Sequence, residues 1–392
     1  MNGDRRGGAC ATLAPVTFLP SFSPRRRRPR PAPVRPRLKP ALRRLCRDER
    51  TLQFGVHPLR AVVLTDLEPP VRSLVEALDG TRTLDELIAS ADLDEGTVRG
   101  VVGLLAQHGV LDDAATRPAA LSDIGMDERD RLGPDLDALS LSTVDAGDGG
   151  LAALARRRAA CVRVIGAGRV GAQVAVLLAA SGVGHLCVVD PGTARHEDVV
   201  PGGLSFADAG RPREDGAVAA ARRVAPGVNA WAGRTAAHLA DGAHRPDLVV
   251  LAPVGPLDAL VTHELVTLGL PHLLATAGEG VGSVGPLVLP GVTSCLRCLE
   301  LTRRDRDPSW PMLGARLGGF PAGEIACGTV LSTLVAAHAA AEALGCVDGL
   351  EPTVTNSTVD VMPDWRWKKR SWRAHPQCRC SRNHFGPLTM VA

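Results

Sequence analysis

Tyrosine is absent from the 392 residues, and the only lysines are Lys39, Lys368 and Lys369. Arginine therefore carries nearly all the basic charge, a bias that points to codon composition and identifies no partner. A secretory signal is also missing: the apolar stretch "ATLAPVTFL" is short, is broken by Pro15, and runs into arginines instead of a small-residue cleavage site. Export is thus argued against. With 45% hydrophobic residues and a mean hydropathy of +0.06, nothing in the composition requires a membrane, and a cytoplasmic globular protein is expected.

The formal charge of +3 is unevenly spread, because residues 1–40 hold ten Lys or Arg and one Asp while the remainder is net acidic. An acidic body argues against a broad nucleic-acid-binding face. The stretch "SFSPRRRRPRPAPVRPRLKP" has no apolar periodicity, so residues 1–40 are expected to form a disordered basic tail. Translation of the first 33 or so residues is left open; a basic arm for nucleic acid or an acidic partner is the functional alternative.

Residues 41–115 read as a small α+β domain. "TLQFGV" and "AVVLTDL" are strand-like runs around a turn with Pro58. Val71, Leu74, Val75 and Leu78 recur at helical spacing, Thr83 with Glu86 predicts a capping box, and Val98, Val101, Val102 and Leu105 mark a third helix from Asp94 to Gly109. A hairpin with three helices is a winged-helix-like module. DNA recognition suits it poorly, since the third helix offers one arginine, Arg99, against Asp94 and Glu95. "VVLTDLEPPVRSLVEALDGTRTLDELIAS" resembles PqqD-type peptide-recognition domains, and the resemblance implies that a leader peptide adds as an extra strand beside the hairpin. A purely structural appendage is the alternative.

Residues 116–150, rich in Asp, Ala and Gly, are expected to be a linker, leading through the amphipathic "LAALARRRAA" into a domain over 151–392. There the pattern alternates between strands and helices. "CVRVIG" is an apolar strand, Gly166, Gly168 and Gly171 supply a phosphate-approaching turn, "AQVAVLLAASG" is its helix, and "HLCVVD" ends in Asp190, placed to hold a ribose hydroxyl. A Rossmann-like α/β fold with a mainly parallel sheet is predicted.

Four thiols stand in two close pairs, Cys295 with Cys298 and Cys378 with Cys380, the ligand number of a structural tetrahedral Zn²⁺. His375 or His384 is an alternative ligand for one position. Cys327, near the start of a helix, is a candidate nucleophile if the helix dipole lowers its pKa, and otherwise a small packing residue. His338 has no second ligand at helical spacing and reads as structural.

"ASGVGHLCVVD", "CLRCLEL" and "GTVLSTLVAAHAAAEALG" resemble the ThiF/MoeB superfamily, the fold of ubiquitin-like-modifier activating enzymes. That resemblance implies ATP, Mg²⁺ and adenylation of the carboxylate of a peptide or small ubiquitin-like protein. It also implies a second acid, here Gly192, and an Asn and an Arg where the chain has "PGGL". Arg211 and Arg213 stand near the expected phosphate lysine, and Ala252, Pro253 and Val254 end the strand expected to carry the metal aspartate, with Asp258 beyond. These losses predict a degenerate ATP site, because adenylyl transfer depends on cations at the developing charge. The terminal "HPQCRC" is similar to the ending of ThiF-like scaffold proteins that partner YcaO-type cyclodehydratases. Expected, then, is a zinc-containing presenter of a precursor peptide, commonly dimeric in such relatives. The alternatives are an active adenylyltransferase and, more remotely, an NAD(P)-dependent oxidoreductase.

Overall fold

The computed structural model describes residues 16–17, 33–116, 124–142, 147–233, 245–255, 257–317 and 326–380. The chain divides into two compact units, one of residues up to 123 with 129–154, the other of 124–128 with 155–392.

In the first unit, β1 (Val16–Thr17), β3 (Arg44–Asp48), β4 (Thr51–Phe54) and β5 (Val62–Leu64) form an antiparallel sheet in the order β1-β5-β4-β3, while β2 (Pro36–Leu38) pairs with β6 (Leu111–Asp113). Between β5 and β6 run α1 (Pro69–Glu76), α2 (Leu84–Ser90) and α3 (Glu95–Gln107). Helix α2 starts in the predicted capping box: Thr83 Oγ1 accepts the Glu86 N–H at 3.2 Å, and Glu86 Oε2 accepts the Thr83 N–H at 2.7 Å. Asp94 caps α3 through the Thr97 N–H at 3.0 Å. The apolar positions picked out by helical spacing, among them Leu74, Val75, Val98, Val102 and Leu105, meet Phe54 and Leu64 in one core.

Two expectations about chain organisation need correction. Pro36–Leu38, inside the expected disordered tail, form a strand, and Leu38 and Lys39 are each only 1% exposed. Leu38 joins the helical core, and the Lys39 ammonium pairs with Asp112 at 3.3 Å while donating to Ser140 O. Tertiary burial thus orders residues whose composition reads as coil. Apart from residues 16–17, positions 1–32 lie outside the described residues, Cys10 among them. Within the expected linker, α4 (Met126–Ser142) forms a helix of 17 residues around Pro134, burying Leu132 and Leu139. Residues 117–123 and 143–146 of that linker lie outside the described ones.

The second unit takes in residues 155–159 of α5 (Leu151–Ala159), whose Arg157 makes a two-pronged ion pair with Asp348 at 2.7 and 2.8 Å, both side chains buried. Its strands are β7 (Cys161–Ile165), β8 (His185–Val189), β9 (Asn229–Ala232), β10 (Leu248–Leu251), β11 (His272–Gly278), β12 (Val281–Val288), β13 (Ser357–Val361) and β14 (Trp367–Ser371). They order as β14-β13-β12-β11-β10-β7-β8-β9; β7 through β11 run parallel, and β12, β13 and β14 add antiparallel strands. Helices α6 (Gly171–Ala180), α7 (Arg213–Val224), α8 (Ala259–Thr267), α9 (Leu296–Arg306), α10 (Trp310–Leu317) and α11 (Thr329–Val347) complete it.

The two-residue period of a strand separates its faces. Leu248 and Val250 enter one core with Val174, Ala217 and Ala339, whereas Val249 and Leu251 enter another with Leu265, Trp372 and the four paired cysteines. Among the described residues, α11 is the one helix long and apolar enough to cross a membrane. Its Leu331, Val335, Ala336, Ala339, Ala340 and Ala343 are buried in the first of those cores, which accounts for the composition. From β7 the chain moves to β8 and β9 on one side, then returns to β10 on the other, so the carboxyl ends of β7 and β10 flank the topological switch point where α/β sheets open a crevice.

Candidate functional site

The glycine turn lies at that switch point. Gly166 has φ +96°, and a Cβ on it would collide with the carbonyl oxygen of Ala252; one on Gly171 would collide with the Gly166 carbonyl. Both positions require glycine for the close approach of β7, α6 and β10. A Cβ on Gly168 would lie 2.6 Å from Cγ2 of Val254. Val254 therefore leans directly over the turn.

Asp190 is 5% exposed and holds the turn together. Its Oδ2 accepts the Ala167 N–H at 2.6 Å, and Oδ1 accepts the Gly192 N–H at 2.7 Å. Arg213 starts α7 and is buried, with Nη1 3.7 Å from Asp190 and Nε donating to Asp198 at 2.9 Å. A side chain on Gly192 would meet Arg213 Nη1 at 2.6 Å, so the guanidinium occupies the room an acid would need there. Arg213 is a cation already matched by two carboxylates, which is a different situation from a free phosphate contact. Arg211 is exposed.

The sequence does not mark Asp198 as a site residue, although "HED" closes a one-turn helix in which Asp198 Oδ2 also accepts the Arg195 N–H at 2.9 Å. Only its buried pairing with Arg213 distinguishes it from a surface acid. At the end of β10 the side chains are Ala252, Pro253 and Val254, and the exposed Asp258 caps α8 by accepting the Leu260 N–H at 2.8 Å.

Cys327 is half-buried, two residues before α11. Burial pushes its thiol pKa up, with the Arg169 guanidinium opposing the shift. The depression expected from the helix start is thus reversed, because desolvation outweighs the nearby cation. Arg169, in the fourth position of "GAGRVG", also bridges distant segments: Nη1 donates to Glu197 O at 2.5 Å and Nη2 to Thr329 Oγ1 at 2.6 Å. His338 is held by Glu342 at 3.2 Å and by the edge of the Trp367 ring.

The cysteine pairs come together although more than eighty residues separate them. Sγ of Cys295 lies 3.8 Å from Cys298 and 3.6 Å from Cys378, Cys298 is 3.4 Å from Cys380, and all four lie within 4.8 Å of one another. Four thiolates at about 2.3 Å from a tetrahedral Zn²⁺ are about 3.8 Å apart, so the arrangement fits that donor set. Cys295 is the N-cap of α9 and Cys298 lies in its first turn, fixing that pair on rigid backbone. Hydrogen bonding from the Cys295 thiol lowers the Cys298 thiol pKa, which favours a thiolate there. His375, the alternative ligand, is instead bonded to Asp305 at 2.7 Å; His384 lies outside the described residues.

The HesA protein of Nostoc sp. is 28% identical over 194 residues, covering 47% of this chain and 73% of HesA. Among solved structures, E. coli MccB with ATP superposes with a TM-score of 0.66 at 16% identity, covering 88% of this chain and 99% of MccB. MccB, a microcin C7 biosynthetic enzyme, also matches in complex with N-formylated MccA, at a TM-score of 0.64 and 16% identity over 88% of this chain and 99% of that one. PaaA matches at 0.63 with 18% identity, covering 84% and 98% of the two chains. At such identities these structures establish the fold. The ThiF family model matches residues 141–381, well over half of the chain, and the protein belongs to the ThiF family.

Proposed function

We propose that this ThiF-family protein binds a precursor peptide and presents it to a separate modifying enzyme, a YcaO-type cyclodehydratase, while its own nucleotide site does not adenylate. The observation that carries this reading is the end of β10, where Ala252, Pro253 and Val254 put only apolar side chains beside the glycine turn. A reacting triphosphate needs a metal-holding carboxylate there. Asp258 is committed to a helix cap and Arg213 to two carboxylates.

Peptide capture belongs, in this reading, to the PqqD-like first unit. Edge strand β3 exposes all five residues, Arg44 to Asp48, and an added peptide strand would bond to its outer backbone groups. Solved MccB complexes with MccA support a peptide partner for this fold. We further assign Zn²⁺ to Cys295, Cys298, Cys378 and Cys380 in a structural role, a cytoplasmic location and a homodimer. No nucleic-acid or membrane partner is proposed: Arg99 of α3 is paired with Glu95 at 2.7 Å.

The retained turn of Gly166, Gly168 and Gly171 with Asp190, and the MccB structure with ATP, favour a second reading, an adenylyltransferase acting on a peptide or ubiquitin-like carboxylate. The presenter reading is tested by titrating the full chain with fluorescently labelled small peptides encoded beside it. Binding weakened at least about tenfold by Leu45→Pro or Cys46→Pro, whichever removes an outward N–H, is expected. Absence of binding by every such peptide would count against it.

A further inference from the structure

β14 is the outermost strand of the eight-stranded sheet, and among the described residues no strand pairs with its free side. Its ladder with β13 is framed by the Met362 N–H, which donates to Arg366 O, and the Trp372 N–H, which donates to Asn356 O. Backbone groups alternate in direction along an antiparallel strand, so Arg366, Lys368, Arg370 and Trp372 turn theirs toward β13. Those of Trp367, Lys369 and Ser371 therefore face outward.

The same edge is basic and aromatic. Lys368, Lys369 and Arg373 are exposed, and among the described residues none of them pairs with a carboxylate; Lys369 Nζ donates to Thr353 O at 2.9 Å. Arg366 and Arg370, by contrast, pair with Asp364 and Asp360. Trp365 and Trp367 are 53% and 52% exposed. Trp365 stands at the hairpin tip with φ +63°, a conformation that favours glycine, so a large ring is held there against backbone strain. The ring of Trp367 is braced by His338 of α11, with centroids 5.5 Å apart.

Lysine on an edge strand opposes pairing with a second copy of that edge, because like charges would face each other. A strand of opposite charge instead gains from each unmatched cation. Guarding the edge accounts for the lysines alone, whereas two exposed tryptophans beside them supply the apolar area that anchors an interface. Nucleic acid would use the charge and the rings and leave the outward backbone groups unanswered. An extended polypeptide uses all three.

We propose that β14 and its hairpin tip dock an extended, acidic segment of a protein partner, which joins the sheet as a further strand. The backbone of Trp367, Lys369 and Ser371 bonds to it, Lys368, Lys369 and Arg373 match its carboxylates, and Trp365 and Trp367 cover its apolar side chains. The surface lies in the second unit and does not rest on peptide capture by β3.

The test is fluorescence anisotropy of a labelled peptide of alternating Glu and Val, titrated with the full chain at low salt. Wild type is expected to bind it and to ignore a peptide of alternating Lys and Val. Charge reversal by Lys368→Glu with Lys369→Glu, and loss of an outward N–H in Lys369→Pro, should each weaken binding at least about tenfold. Trp365→Gly should weaken it several-fold, and Leu45→Pro in β3 should leave it unchanged; thermal melting verifies that each variant is folded. Should Lys369→Pro not fold, the charge reversal, which alters exposed side chains alone, decides together with Trp365→Gly. No binding by the wild type, equal binding of the Lys and Val peptide, equal binding by the β14 variants, a loss confined to Leu45→Pro, or tighter binding of oligo-dT by the same residues would each overturn the assignment.

Discussion

Cys298 Sγ lies 3.4 Å from Cys380 Sγ across 82 residues of sequence. Both are buried beside Trp372 in the core that Val249 and Leu251 share, so the cluster fastens the chain's carboxyl-terminal segment to α9. Gently purified protein is expected to carry one zinc per chain by elemental mass spectrometry. Cys298→Ser or Cys380→Ser should reduce that ratio toward zero and lower stability by about 3 kcal/mol or more, a fraction of what structural zinc contributes in small domains. Metal-free wild type with four titratable thiols would exclude the site.

His272 gives a pH signature. Its Nδ1–H donates to Leu270 O at 2.9 Å, Nε2 is buried without a partner, and burial lowers its pKa to about 4 from 6.5. The unfolded chain therefore binds the proton more readily between those values, and this contribution to stability is lost as pH falls from about 6.5 toward 4. Urea unfolding across that range should show a steeper loss for wild type than for His272→Asn. The difference amounts to roughly 3 kcal/mol at its largest; parallel pH profiles would contradict it.

Asp348→Ala removes the partner of buried Arg157 and leaves an uncompensated cation between α5 and the end of α11. A loss of about 3 to 5 kcal/mol is expected. Replacing both partners with apolar residues should restore much of it. A loss under about 1 kcal/mol for Asp348→Ala would show that the pair is hydrated and unimportant.

Thiol labelling separates Cys46 from Cys327. The first is exposed; the second is half-buried with its pKa raised by desolvation. Peptide mapping after brief iodoacetamide treatment at neutral pH should find Cys46 modified well before Cys327, since the thiolate is the reactive form. Arg169→Gln should slow Cys327 further. Preferential labelling of Cys327 would revive it as a nucleophile.

Much of this arrangement is legible in the sequence where local chemistry decides it. Thr83 with Glu86, the run from Val98 to Leu105, and Cys295 with Cys298 are short-range patterns, and each forms as its spacing predicts. What escapes is set by distant partners. Leu38 and Lys39 sit in a Pro- and Arg-rich stretch, yet contacts with the helical core and with Asp112 order them. Helix α4 has few buried positions and an internal Pro134, so its pattern resembles a linker. Arg213 looks available until Asp198 and Asp190 close on it, and Arg169 looks like a turn residue until Thr329, 160 residues later, meets it.

The central claim is that the turn at Gly166–Gly171 no longer drives adenylation. It is tested most directly by ATP–pyrophosphate exchange with Mg²⁺ and the bound peptide. Exchange indistinguishable from the protein-free blank is predicted. Robust exchange that disappears in Asp190→Ala would contradict the account and establish the adenylyltransferase instead.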